Sequence, residues 1–237
     1  MRVGFELDRY EDTEMALARF FPVSGVCLTK RPEDIFYMRP RFMVDPRVHV
    51  ICLVRDPRDS IVSKHGLRPD GYYANLGIWK RARRIAMSLE KHPRFLVVKY
   101  EDLVRDADSV QDKIAQWAPF LKRKAAFSSF GSDETVSDSY LVALNGVRPI
   151  SSSSIGNWRK NAARVAQQIA TWGDMDEDLR AYDYERDDRW KLELPKQVSS
   201  VTVASEHKSS SIKKKYFIAP IAAVRGLITY KMNASIG

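Results

Sequence analysis

Three short apolar runs punctuate the chain: "VSGVCLT" (Val23 to Thr29), "VHVICLV" (Val48 to Val54) and "RFLVVKY" (Arg94 to Tyr100). Runs of this length bounded by polar and turn residues predict strands, and the near-continuous Val, Ile, Leu and Cys of the last two predict strands covered on both faces of a parallel sheet. Between them, Leu76, Trp79, Ala82, Ile85, Ala86 and Leu89 recur at three- and four-residue steps, and Pro93 closes the segment. That spacing predicts an amphipathic helix with a basic outer face. Strand, helix, strand in this order is a βαβ unit. Further on, Val110, Ile114, Trp117 and Leu121 form one apolar stripe, with Ser109 or Asp108 as a helix cap. "AARVAQQIATWGDMDEDLRAYDY" predicts one or two closing helices interrupted at Gly173. The expected fold class is α/β, a mainly parallel sheet flanked by helices, forming one domain over residues 1–190. From 191 to 237 the serine-rich, polar composition reads as a linker and tail.

Composition narrows the function classes rather than the fold. The chain has 237 residues, 44% hydrophobic and 29% charged, enough for one α/β domain with a substantial core. Its +9 charge, from 39 Lys and Arg against 30 Asp and Glu, suits a phosphate-bearing ligand, an anionic polymer or an acidic membrane surface, and equally a solvated basic face. No recognised nucleic-acid motif accompanies that charge. Cys27 and Cys52 sit inside apolar runs without metal-ligand spacing and read as reduced core residues. The opening "MRVGFELDRYED" lacks the apolar centre of a signal peptide, and no apolar run is long enough to span a bilayer, so a cytoplasmic location is the simplest expectation.

Chemistry concentrates in "CLVRDPRDSIVSK" (Cys52 to Lys64). Arg55 follows directly on a strand, Asp56 is placed to cap the next helix, and Pro57 suits its first position. Ligands of open parallel sheets bind beyond the carboxyl ends of the strands, and backbone N–H groups at helix starts favour anions. Arg55 would thus point into a ligand crevice, with Ser63 about two turns further along the same helix. The competing reading makes Arg55, Asp56, Arg58 and Asp59 salt bridges around a tight turn. Arg148, before a proline in a serine-rich loop, has no apolar periodicity to explain it. Tyr100 reads equally as a core tyrosine or a ligand contact, and Trp158 as a packing residue. Arg159 and Lys160 read as a solvated basic pair. His49 is a structural residue, and no chemistry attaches to His65, His92 or His207.

"RDPRDSIVS", with eight residues from Arg55 to Ser63, resembles the 3′-phosphate-binding motif of sulfotransferases that use 3′-phosphoadenosine 5′-phosphosulfate (PAPS). "VVKYEDLVRDADSVQDKIAQWAPFL" is similar to that family's strand ending in a YEDL-type turn, and "VRPISSSSIGNWRKN" to its late PAPS-binding loop. The resemblance implies a P-loop nucleotide-kinase-like fold and PAPS as co-substrate. It implies Tyr100 near the adenine, and Arg148 and the Trp158, Arg159, Lys160 group meeting the cofactor's phosphates. Lys30, after "CLT", stands where the family commonly directs a lysine at the sulfuryl group. Pro32 occupies the place of the cytosolic branch's histidine, leaving Glu6, Glu11 and Glu14 as candidate bases. Nothing between Met1 and Val23 matches the family's PRSGTT-type loop for the 5′-phosphosulfate, so the resemblance is to an N-terminally incomplete member. The implied activity is sulfuryl transfer to a hydroxyl of a carbohydrate or other biomolecule; the alternative is an inactive protein that binds PAPS or its bisphosphate product. The segment "IKKKYFIAPIAAVRGLITYK" is a candidate for peripheral contact with an anionic membrane, against a disordered tail or a docked element.

Overall fold

The structure is a computed structural model that describes residues 9–11, 26–30, 32–65, 68–130 and 149–195. In chain order, β1 (Arg9–Glu11) and β2 (Cys27–Thr29) precede a 3-10 turn (Pro32–Phe36) and α1 (Arg39–Val44). Then come β3 (Val50–Val54), α2 (Pro57–Ile61), the hairpin strands β4 (Lys64–His65) and β5 (Arg68–Tyr72), and α3 (Leu76–Met87). β6 (Phe95–Lys99) leads into α4 (Tyr100–Arg105) and α5 (Ala107–Trp117), and α6 (Ala162–Trp172) and α7 (Asp176–Ala181) follow later. The molecule is mixed α/β. Among the described residues the β1–β2 and β3–β6 pairs are parallel and the β4–β5 pair is antiparallel.

The predicted βαβ unit is β3, α3 and β6, with Val50 facing Phe95 and Val54 facing Lys99 across the pair. Asn75 starts α3 by accepting the Ile78 N–H, which satisfies one of the donors that a helix start leaves open. Val50, Cys52, Phe95 and Val97 pack on one side of the sheet against Phe42 of α1 and Ile85, Ala86 and Leu89 at the end of α3. On the other side, Val98 packs with Val110 and Ile114 of α5. There the prediction of full coverage needs correcting. Helix α5 covers the β6 half of that face, and Ile51 and Leu53 of β3 remain 42% and 52% exposed.

Several boundaries also differ from the sequence pattern. A strand precedes the Lys30-bearing one, at Arg9–Glu11, where the apolar pattern predicts none. The YEDL segment is a short helix rather than a turn, and the cap of α5 is Asp106, which accepts the Ser109 N–H at 3.0 Å. Asp108 instead holds the Ser128 backbone and hydroxyl. The basic face of α3 is only partly solvated: Arg83 turns inward to Asp178 at 2.8 Å, and Lys80 donates to the carbonyls of Trp172 and Asp174. Those bonds bring α3 onto the two closing helices, which break at Gly173 with a left-handed φ of 82°. Where α3 meets α6, Gly77 is needed for close approach, since a Cβ there would lie 2.4 Å from the Trp172 ring.

The principal core joins Ile61, Val62, Leu76, Trp158, Val165, Met175, Leu179 and Trp190. It anchors the serine-rich loop, through Trp158, to the strand-end helix α2. Cys52 is a free thiol whose pKa burial pushes up to about 11, as expected of an inert core cysteine. His49 packs edge-on against Trp117 and Phe120, a structural role. Among the described residues no helix is long and apolar enough to cross a membrane. The tail segment from Ile212 to Lys231 lies outside the described residues.

Candidate functional site

Asp56, just past β3, accepts the Arg58 N–H at 2.8 Å, and Pro57 supplies the first helical position, so α2 starts as its sequence dictates. The helix is short: it ends at Ile61, and Val62 turns the chain toward the β4–β5 hairpin. Ser63 is therefore not two turns along that helix. Its carbonyl accepts the Tyr73 N–H, placing it at the mouth of the hairpin.

Arg55 lies between the strand end and two distant segments. One terminal nitrogen donates to the Ser154 carbonyl at 2.7 Å, and the guanidinium stacks over the Tyr100 ring, 4.6 Å from its centroid. The Tyr100 and Ser154 hydroxyls share a hydrogen bond of 2.7 Å. Three segments separated by up to 99 positions thus meet at one arginine. Its Nε is buried and has no hydrogen-bond partner. An orphaned buried donor costs about 1–3 kcal/mol, and more on a charged group, so this nitrogen favours an anionic acceptor.

Beneath this cluster lies a second, largely buried layer that sequence reasoning missed. Asp59 is 1% exposed and accepts the N–H groups of Gly156 at 2.7 Å and Trp158 at 2.9 Å. Burial pushes its carboxyl above the ordinary value, with the two amide bonds pulling against that shift. Arg58, read from sequence as part of a local salt bridge, does pair with Asp56 but also reaches Glu185 at 2.7 Å. Its guanidinium lies against the rings of both Trp158 and Trp190. Glu101 accepts the Asp56 N–H and the Tyr184 hydroxyl; burial, aided by the Glu101 charge and this bond, holds Tyr184 well above the usual tyrosine range. The only advance signal was the density of charge in "RDPRD" and "YED"; nothing in the sequence states that the partners would be backbone amides of a remote loop.

The remaining predicted residues fall elsewhere. Lys30 stands exposed one position past β2, and β2 pairs with β1 rather than β3; among the described residues no hydrogen bond or ion pair joins Lys30 to the Arg55 cluster. Lys160 is exposed on the 3-10 turn Asn157–Asn161, while neighbouring Arg159 is held by Glu193 at 2.7 Å. Trp158, 1% exposed, is the packing residue expected of it. Glu11 ends β1, whereas Arg148, Glu6 and Glu14 lie outside the described residues. A cavity of about 200 Å³ opens beside the Ile155–Arg159 segment, lined by Lys99, Glu101, Arg105, Arg159 and Tyr184 among others. Arg55, Tyr100 and Ser154 are not part of its wall.

No family model matches the chain, and no curated protein is similar to it.

Proposed function

We propose that Arg55, Tyr100 and Ser154 form the end of a nucleotide site that receives the 3′-phosphate of PAPS, and that the protein is a PAPS-dependent sulfotransferase acting on a hydroxyl of a carbohydrate or other biomolecule. The observation that carries this reading is the buried, partnerless Nε of Arg55 at the point where the three motif segments meet. A phosphate oxygen would satisfy that donor while the Tyr100 ring below and the Ser154 carbonyl beside it keep the guanidinium in place. Ser63, Arg148 and Lys160 are further candidate donors to the cofactor's phosphates. Tyr100 is also the candidate for adenine contact, through the part of its ring that Arg55 leaves open.

The reaction forms a bond between the acceptor oxygen and sulfur and breaks the bond from sulfur to the phosphate oxygen. The acceptor's proton leaves to a base, and 3′,5′-bisphosphoadenosine departs. As in phosphoryl transfer, catalysis rests on alignment and on cations near the developing charge. Lys30 is the candidate cation at the bridging oxygen. Holding the nucleotide by its 3′-phosphate would contribute alignment from a distance, because binding energy from a non-reacting part of the substrate offsets the cost of orienting the reacting part.

A second reading, binding of PAPS or the bisphosphate without transfer, is favoured by one observation: the strand that Lys30 follows and the strand that Arg55 follows belong to separate pairs. Two measurements separate the readings. Calorimetry with 3′,5′-bisphosphoadenosine tests the site, and an assay with radiolabelled PAPS and a panel of polysaccharides tests transfer. Binding with transfer supports the enzyme, binding without transfer the second reading, and absence of binding contradicts both.

A further inference from the structure

The structure assigns Asp59 as the positioning residue of the phosphate site: its carboxylate fixes the Ser154 loop against Arg55 and thereby sets selectivity for a 3′-phosphorylated nucleotide. This inference rests on the proposed reading of the site. Ser154 touches the ligand-facing cluster through its own carbonyl and hydroxyl, so the loop's position decides where the Arg55 guanidinium points. The loop cannot hold that position by regular secondary structure, since residues 149–156 contain neither helix nor strand.

Asp59 holds it, together with the burial of Trp158 in the principal core. Gly156, two residues past Ser154, has a left-handed φ of 77°, and this turn aims its N–H and that of Trp158 at the two oxygens of one carboxylate. Glycine is needed there, because a side chain at that φ is strained. Asp59 sits on the α2 segment that begins immediately after Arg55, so a single rigid turn carries both the phosphate-binding arginine and the clamp for the loop that orients it. Among the described residues Asp59 has no cationic side-chain partner within ion-pair distance, while Asp56 on the same turn takes Arg58. Its oxygens are met by the two amides, and the nearby Arg55 charge also favours its ionised form. The carboxylate is thus engaged wholly in holding backbone, as a positioning group requires.

Asp59→Asn tests the assignment. An amide of the same shape can accept one of the two N–H groups but must present its own NH₂ to the other. The readout is the ratio of affinities for 3′,5′-bisphosphoadenosine and adenosine 5′-monophosphate, measured by calorimetry. The variant is expected to bind the bisphosphate about tenfold more weakly than the parent, with little change for the monophosphate. A merely structural role would lower the melting temperature and leave the ratio in place, and an unchanged ratio overturns the assignment. If the parent itself does not distinguish the two nucleotides, the phosphate-site reading fails and takes this inference with it. Should Asp59→Asn not fold, amide exchange in the parent decides: the Gly156 and Trp158 amides are expected to slow when the bisphosphate is added and not when the monophosphate is. Equal exchange with both nucleotides overturns the assignment.

Discussion

The Arg55 end of the candidate site and the Lys30 end are built in opposite ways. Arg55 is tied to Ser154 and Tyr100, and the turn that carries it is tied by Asp56, Arg58 and Asp59 to Glu101, Glu185, Gly156 and Trp158. Lys30 is exposed after a three-residue strand, and among the described residues no such bonds join it to the Arg55 cluster. A firmly held, half-buried site suits recognition, because fixed donors need not reorganise when an anion arrives. An exposed lysine suits a group that acts only once substrates have assembled around it. On the proposed reading, nucleotide selectivity belongs to the first end and the transfer step to the second.

The largest perturbation should come from the packing beneath Arg55. Trp158→Ala removes a fully buried ring from the principal core and one aromatic wall from Arg58. A loss of about 3–5 kcal/mol is expected, seen as a marked fall in melting temperature. A change of only a degree or two would break the claim that this end is the rigid one.

Tyr100→Phe is a finer test, deleting the hydroxyl bonded to Ser154 while keeping the ring under Arg55. It should cost about 0.5–1.5 kcal/mol of bisphosphate affinity, roughly two- to tenfold, measured by calorimetry. An undiminished affinity would remove Tyr100's hydroxyl from the positioning account.

Acid titration sharpens the contrast away from the site. The Asp45 carboxylate is held below its ordinary range by Arg47, through a side-chain hydrogen bond and its charge, with burial opposing. A depressed carboxylate contributes stability that is present above its unfolded pKa and lost as the pH falls through the folded value. Asp45→Asn should flatten the decline of stability below about pH 3.9 and change bisphosphate binding very little. A loss of binding would show that the site extends to α1.

The smallest effect on binding is expected at Lys30. Lys30→Ala should leave bisphosphate affinity unchanged, and in a chain that transfers sulfate it should depress transfer. A fall in affinity comparable with that of an Arg55 variant would merge the two ends that the comparison separates.

How much of this was legible in the sequence depended on how local each feature is. The Asp56 cap, Pro57, the βαβ unit and the break at Gly173 depend on neighbouring residues, and local pattern predicted them. The end of α2 at Ile61 was not predicted, because the next segment, "VSKH", is drawn into a hairpin whose partner strand begins at Arg68. Ser63 was misplaced for that reason. The exposed Ile51 and Leu53 were read as buried, since apolar content cannot tell which half of a sheet a single helix will cover. Arg55 and Tyr100 were singled out by their motifs and meet in the structure, whereas Asp59 was left among generic charges because its partners are backbone amides nearly a hundred positions away. A backbone partner leaves no residue type in the sequence to read.

The most direct test of the central claim is calorimetry of 3′,5′-bisphosphoadenosine against adenosine 5′-monophosphate, on the parent and on Arg55→Ala. Loss of a charge-assisted contact of about 1.5–3 kcal/mol corresponds to a roughly ten- to hundredfold weaker affinity. The account predicts that the parent prefers the bisphosphate and that Arg55→Ala loses affinity for it by that factor while its binding of the monophosphate is little changed. Equal binding of the bisphosphate by the variant and the parent would contradict the claim that Arg55 receives the 3′-phosphate.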